Sequence, residues 1–404
     1  MTSAQSAWII YDLANAAYAL VVRTVFAPLC IKFCAEGVVS SGDATGYWGI
    51  AASLAGITAG VLSIFLGYWC DRRRCRKKFL MFFVVSGVLS SWGFALCGKG
   101  DFVAVLALAF VSFGCYLCAN SLYDSLLPDV AAPEQRDRVS VAGYAAGYIG
   151  GVIPFLFCLA LTMLLNDKIA AMRVSFLIAG AWWLILSLPL FFRVNEGGFS
   201  GSSRKFIESA KEVLRNKKAR RFLIAYFLYI DGVGTIYLMA TPIAVDIGIS
   251  ETALLLTILG LQFYAFPCTL LYGRLAGKFG SVRMITFAIA TYIAASLLVG
   301  VMPLVCSREG KLLIFIILAL IIGSSQGGIQ SLSRSFYSRI ISAERSAEYF
   351  GFYNLFGKFT TVVGPLLIFI MVKITGLSEP GILMLVLPFA AGGILLNSCA
   401  AETE

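Results

Sequence analysis

The sequence predicts an all-α integral membrane protein of twelve transmembrane helices, arranged as two pseudo-symmetric six-helix bundles. Three observations predict it. Of 404 residues, 59% are hydrophobic and only 13% charged, and the mean hydropathy is +0.86. Several apolar runs reach the roughly 20 residues that a membrane crossing requires. The basic residues are also sorted: loops on one side of the alternating topology hold 23 Lys or Arg and those on the other side seven. Such asymmetry orients a multi-span chain with its basic loops in the cytoplasm. Finally, the halves echo each other, with Glu134 and Gly147 matched by Glu344 and Gly357 at a shared offset of 210. Tyr11-Asp12 in the first span returns as Tyr229-Ile-Asp231 in the seventh. A repeat at this scale points to a duplicated fold.

Composition also excludes several functions. The net charge of +10 reflects basic residues in alternate loops, so nucleic acid is not an expected partner. The chain has no histidine, which removes Ser-His and Cys-His nucleophiles and leaves carboxylates for any proton transfer within the membrane. Most of the 11 cysteines lie in apolar runs. Cys115-x-x-Cys118 lacks a second ligand pair, so neither a metal site nor a cofactor is expected. Cys97 and Cys306 both fall near the outer face, where a disulfide between them is one possibility.

Taken in order, Met1–Ala7 carries no basic residue ahead of its apolar run, which argues against a cleaved signal peptide. The first span, about Trp8 to Cys34, contains Asp12, Asn15 and Arg23. At about 100° per residue, Asp12 and Arg23 fall within roughly 20° of each other and Asn15 about 60° aside. That polar stripe must face a bundle interior or cavity, because ionisable groups facing lipid are costly. The second span, about Ala44 to Cys70, carries Gly49, Ala52, Gly56 and Gly60, small residues suited to close helix packing. The basic loop Asp71 to Lys78 follows, and spans at about 79–97 and 101–127 come next. In the fourth, Asn120 and Asp124 share a face, and Pro128 stops the helix. The fifth starts at about Val139, and the sixth is about Ala171 to Phe192.

Between Arg193 and Arg221 the composition turns polar. Gly197, Gly198, Ser200, Gly201, Ser202 and Ser203 form a flexible linker. Phe206, Ala210, Val213 and Leu214 then repeat at helical spacing beside Lys205, Lys211, Arg215, Lys217 and Lys218, the pattern of an amphipathic helix on a membrane surface. The expected organisation is therefore an N-terminal bundle over 1–193, a linker with amphipathic helix over 194–219 and a C-terminal bundle over 220–404. The second bundle supplies spans at about 220–246, 251–275, 282–305, 311–336, 348–375 and 379–399. Both termini then lie in the cytoplasm. The short loops point to a bacterial inner membrane.

Two loops narrow the reading. Gly67-x-x-x-Asp71-Arg72 resembles the signature between the second and third helices of the major facilitator superfamily, although Arg74 stands at its later Gly position and Cys75 at its basic one. Gly273-Arg-Leu-Ala-Gly277-Lys278-Phe-Gly280 is a second copy, with Gly277 in place of the Asp. Other segments resemble the vacuole-effluxer-like branch of that superfamily. These are Tyr11-Asp12-x-Ala14-Asn15, Leu126-Leu-Pro128-Asp129 with Gly147-Tyr-Ile-Gly150-Gly151, Tyr229-x-Asp231-Gly232, and Gly327-Gly328-Ile-Gln330-Ser-Leu-Ser333-Arg334 through Tyr353-Asn354 to Gly357-Lys358. The branch contains fungal vacuolar amino-acid exporters and many bacterial proteins. The resemblance implies a secondary transporter rather than an enzyme, with a small-molecule substrate, the lipid bilayer as its surroundings and a monomer as its working unit.

Five ionisable residues stay inside predicted spans: Asp12, Arg23, Asp124, Asp231 and Lys358. Intramembrane charges are functional candidates. In the fold this chain resembles, the first, fourth, seventh and tenth helices line a central cavity, which would gather Arg23, Asp231, Gln326 and Gln330, with Asn354 and Lys358 from the eleventh. A guanidinium and a carboxylate together suit a zwitterion such as an amino acid. The alternative is a structural Arg23–Asp231 pair that touches no substrate. Asp231, aided by Asp12, is the expected proton-coupling group. Gly67, Asp71, Arg72, Asp124, Gly273 and Gly277 are the expected gating residues. An exporter of drugs or sugars, a lipid-modifying membrane enzyme and a non-transporting receptor are the competing readings; the lack of histidine weighs against the enzyme.

Overall fold

A computed structural model describes residues 1–197, 206–246, 251–301, 308–358, 363–375 and 379–401. All of its regular structure among these residues is helical. Among the described residues nine helices are long and apolar enough to cross a membrane, and the protein is a multi-pass integral membrane protein. Those nine occupy the first six predicted spans and the ninth, tenth and twelfth. The seventh and eighth are helical over Lys217–Asp246 and Glu251–Phe279. The eleventh is helical over Ser346–Lys358 and Val363–Thr375, with 359–362 outside the described residues.

Labels follow chain order: α1 is Ser3–Cys34, α2 Ser41–Arg73, α3 Arg76–Gly93, α4 Phe102–Ser125, α5 Arg136–Leu164 and α6 Lys168–Arg193. The amphipathic α7 spans Phe206–Arg215. Then come α8 (Lys217–Asp246), α9 (Glu251–Phe279), α10 (Ser281–Val301), α11 (Arg308–Ile340), α12 (Ser346–Lys358) and α13 (Val363–Thr375). Local chemistry sets several ends. Thr2 and Gln5 form a capping box that starts α1, and Ser40 and Asp167 cap α2 and α6 through their side chains. Arg74 ends α2 in the left-handed region at φ 50, while the N–H of Arg74 and that of Cys75 both return to the Cys70 carbonyl. Within α1 the stretch Tyr18–Phe26 is π-helical, a distortion that tends to mark functional positions. It carries Arg23.

The chain divides into two compact units. One contains Met1–Pro133, Ala146–Phe206 and Ser342–Leu355, the other Glu134–Ala145, Ile207–Ile341 and Phe356–Glu404. Each unit thus takes a segment from the opposite half of the sequence. In the first, aromatic packing ties α1 to α4: the Trp8 and Tyr123 rings stack at 4.4 Å, Trp8 Nε1 donates to the Tyr123 carbonyl and the Tyr123 hydroxyl to the Trp8 carbonyl. In the second, Phe222 stacks on Tyr337 at 5.3 Å and the hydroxyls of Tyr229 and Ser333 meet at 2.7 Å, tying α8 to α11. Most of the Gly/Ser linker, 198–205, lies outside the described residues, as does Cys306.

Candidate functional site

The end of α2 carries the first polar cluster, in the first unit. Gly67 lets the start of α12 come against the α2 backbone: a Cβ there would stand 2.3 Å from the Ala347 carbonyl oxygen. One turn on, the buried Asp71 accepts the backbone N–H groups of Ala347 at 3.3 Å and Glu348 at 2.8 Å. A carboxylate at the N-terminus of a helix answers both its unpaired N–H groups and the positive end of its dipole. Arg76, only 2% exposed, is the hub. Its guanidinium reaches Asp129 at 2.8 Å, the Ser125 carbonyl at 3.0 Å, Ser346 Oγ at 2.7 Å and the Gly197 carbonyl at 2.7 Å. Glu196 meanwhile receives the Arg76 and Lys77 N–H groups that open α3. A buried guanidinium needs this many acceptors to offset its desolvation.

The second unit holds the counterpart at the start of α5. Asp137 pairs with Arg339 at 2.5 Å, accepts from Ser281 at 2.6 Å and from Ser335. Arg136 donates to the Ser338 carbonyl at 2.6 Å. Arg334, also 2% exposed, donates to Ser140 Oγ at 2.9 Å and to its carbonyl at 3.0 Å, and lies 4.4 Å over the Tyr144 ring. The clusters differ in where the ion pair sits. Arg76–Asp129 lies within one half of the sequence, and α12 meets it through the hydrogen bond from Arg76 to Ser346. Arg339–Asp137 itself joins the two halves.

The expected gating residues distribute unevenly over these clusters. Gly67 and Asp71 lie at the first. Arg72 instead stacks on Tyr68 of its own helix, 4.9 Å from the ring. Asp124 is half-buried, and it and Asp12 both lie near Tyr116; the carboxylate 2.8 Å from Arg76 of the basic loop is Asp129. Gly273 packs against Val141 of α5, and nothing stands within 4 Å of a Cβ built at Gly277. Arg76, Asp129, Asp137, Arg334 and Arg339 were not singled out by the sequence, because basic loop residues have topology as a sufficient explanation. Asp129 and Arg334 do stand inside the motifs Leu126-Leu-Pro128-Asp129 and Gln330-Ser-Leu-Ser333-Arg334, which is the signal the sequence carries for them.

Among mid-span residues, Arg23 is exposed and its guanidinium lies 4.1 Å over the Phe113 ring. Asn15 donates to Asn120 at 2.9 Å, joining α1 to α4, and Asp12 is half-buried. These belong to the first unit. In the second, Asp231 is 2% exposed and accepts the N–H of Gly364 in the first turn of α13. Gln326 and Gln330 are both half-buried on one face of α11, between buried neighbours. Asn354, in the α12 segment of the first unit, returns its amide to the Phe350 carbonyl at 3.1 Å. Lys358 closes α12, and its side chain lies outside the described residues. Among the described residues no group of three or more metal-ligating side chains gathers.

The model of the family described as vacuole effluxer Atg22 like matches residues 2–402. The MFS-type transporter YxiO of Bacillus subtilis (strain 168) is 34% identical, covering all of this chain and 96% of that protein. Autophagy-related protein 22 of Yarrowia lipolytica is 23% identical over 85% of this chain and 74% of its own length. Among solved structures, the human organic anion transporter MFSD10 (TETRAN) matches with a TM-score of 0.76 at 15% identity, over 98% of this chain and 99% of that one. The MFS transporter FucP in its outward conformation matches with a TM-score of 0.74 at 12% identity, over 98% and 97%. At such identities these structures show the shared fold alone, that of the major facilitator superfamily.

Proposed function

This chain belongs to the vacuole effluxer Atg22-like family of the major facilitator superfamily, and from that premise we propose that it exports amino acids or similar small zwitterions across a bacterial inner membrane. Family and fold are those of transporters, not of enzymes. The observation that carries the substrate class is Arg23. A guanidinium exposed within a membrane helix must face an aqueous cavity, since lipid would not tolerate it. Its face is held by Phe113, which leaves the N–H edges free to grip a carboxylate through two parallel bonds. Asp231, at 2% exposed, is too buried to meet a solute and is left for ion coupling, while the half-buried Gln326 and Gln330 are the polar side chains that the second unit offers a solute.

Alternating access further requires contacts that hold the basic-loop side shut and then release. Asp71 on the start of α12 and Asp137 with Arg339 are assigned that role. Asp231 is the coupling residue: a buried carboxylate has to be neutralised by a proton or another small cation as the cavity closes. The N- and C-termini are assigned to the cytoplasm and the working unit to the monomer. Counterflow of labelled solutes in proteoliposomes tests the whole reading. Amino acids should exchange, and monocarboxylates of equal size should exchange poorly. Exchange of monocarboxylates alone would favour an organic-anion carrier, and exchange of neither would sink the proposal.

A further inference from the structure

Asp231 and Thr235 sit one turn apart on α8, about 40° from each other around its axis, and both meet Gly364 at the start of α13. Gly364 donates its N–H to the Asp231 carboxylate. A Cβ built on Gly364 would stand 1.8 Å from Thr235 Oγ1, so only glycine admits the threonine there. The pair is 2% and 1% exposed, and both Asp231 Oδ1 and Thr235 Oγ1 lack a hydrogen-bond partner. Two buried oxygens left unsatisfied at one spot are costly and call for an explanation.

Thr235 is the unusual member. Hydroxyls in helices commonly bond the carbonyl four residues back, and in this unit Ser296, Ser333 and Thr269 all do so at 2.6–3.0 Å. Thr269 is the close comparison, since it fills the Cβ position of Gly327 at 1.9 Å and still bonds the Ala265 carbonyl. Thr235 makes the same threonine-on-glycine contact without that bond. Its oxygen is left without a partner, as is Oδ1 of the carboxylate one turn earlier on the same helix.

We infer that Asp231 Oδ1 and Thr235 Oγ1 are two protein ligands of a site for a small hard monovalent cation of the sodium class, set against the start of α13. This rests on the reading of Asp231 as the coupling residue and names its ion. Oxygen-only ligation suits a hard cation, and a single carboxylate suits one charge better than two. A proton on Oδ1, donated to Thr235 Oγ1, is the competing occupant, and it would show as a response to pH without one to Na+. A solute cannot reach atoms this buried, whereas a single ion can. Water can complete the shell of such an ion.

The test is thermal unfolding of the purified full-length protein in detergent, with Na+ titrated against choline at constant ionic strength. The midpoint temperature should rise saturably with Na+. Thr235→Val, which keeps shape and removes the oxygen, should raise the half-saturating Na+ concentration about tenfold or more, and Asp231→Asn should abolish the response. Thr269→Val should leave it unchanged. No Na+ response in the wild type, a response to pH alone, or wild-type half-saturation in Thr235→Val would each overturn the site. Amino-acid counterflow run in parallel separates the failures. Intact counterflow without a Na+ response removes only the cation site, and a Na+ response without counterflow removes the solute reading instead.

Discussion

The Asp71 carboxylate accepts the backbone N–H of Glu348 at 2.8 Å across 277 residues of sequence. It places the side chain of one half on the opening turn of a helix from the other. The interaction needs Gly67, because any Cβ one turn earlier would strike Ala347. A charge on a helix N-terminus is stabilising by about 0.3–1 kcal/mol when exposed and up to ~2 kcal/mol when partly buried. That is the scale on which a two-state carrier is balanced. Asp71→Asn should therefore slow transport severalfold while leaving solute affinity within twofold of the wild type. Equal transport rates in the two proteins would end this assignment.

Arg76 and Arg72 should behave differently despite their shared loop. Truncating Arg76 to Ala would leave the buried Asp129 without its partner, and breaking a buried pair costs about 3–5 kcal/mol. Arg72 is half-buried and meets only Tyr68 of its own helix among the described contacts, stacking on its ring and donating to its hydroxyl, interactions of about 0.5–1 kcal/mol each. Thermal unfolding in detergent should show a large fall for Arg76→Ala and a small one for Arg72→Ala. A comparable loss in both would contradict the hub.

The ion pair at the start of α5 offers a reversible test. Asp137 and Arg339 retain partial side-chain exposure, 19% and 25%, so the pair is weaker than a buried one and its screening by salt is real. Asp137→Asn and Arg339→Gln should each reduce counterflow, whereas the charge swap of both residues should recover part of it. A swap that is worse than either single change would show that Ser281 and Ser335, not the charge pair, set the contact.

Arg23→Lys tests the solute site. Lysine keeps the charge but gives up the bidentate grip, and a hydrogen bond to a charged group contributes about 1.5–3 kcal/mol. Amino-acid affinity in a binding or counterflow assay should fall roughly tenfold or more, since 1.4 kcal/mol is about tenfold. Phe113→Leu should give a smaller loss of the same kind by freeing the guanidinium to reorient. Unchanged affinity in Arg23→Lys would mean that the solute touches neither atom pair and that Arg23 is structural.

Much of this protein was written in local sequence. Hydropathy placed the spans, because a membrane helix must satisfy its backbone within itself and bury no charge in lipid, and that requirement acts residue by residue. The basic loop, the glycines at 67 and 273 and the intramembrane Asp231 were visible for the same reason. Tertiary structure decided which charges work together. Arg72 and Arg76 look alike in the loop, yet only Arg76 is drawn inside, because Asp129, Ser125 and Ser346 converge on it from distant parts of the chain. Thr235 was invisible for a related reason. A threonine in an apolar helix is ordinary until the fold brings Gly364 against it and leaves its hydroxyl without a partner. Hydrophobicity is a property of single residues, whereas satisfaction of a buried polar atom depends on partners that only folding assembles.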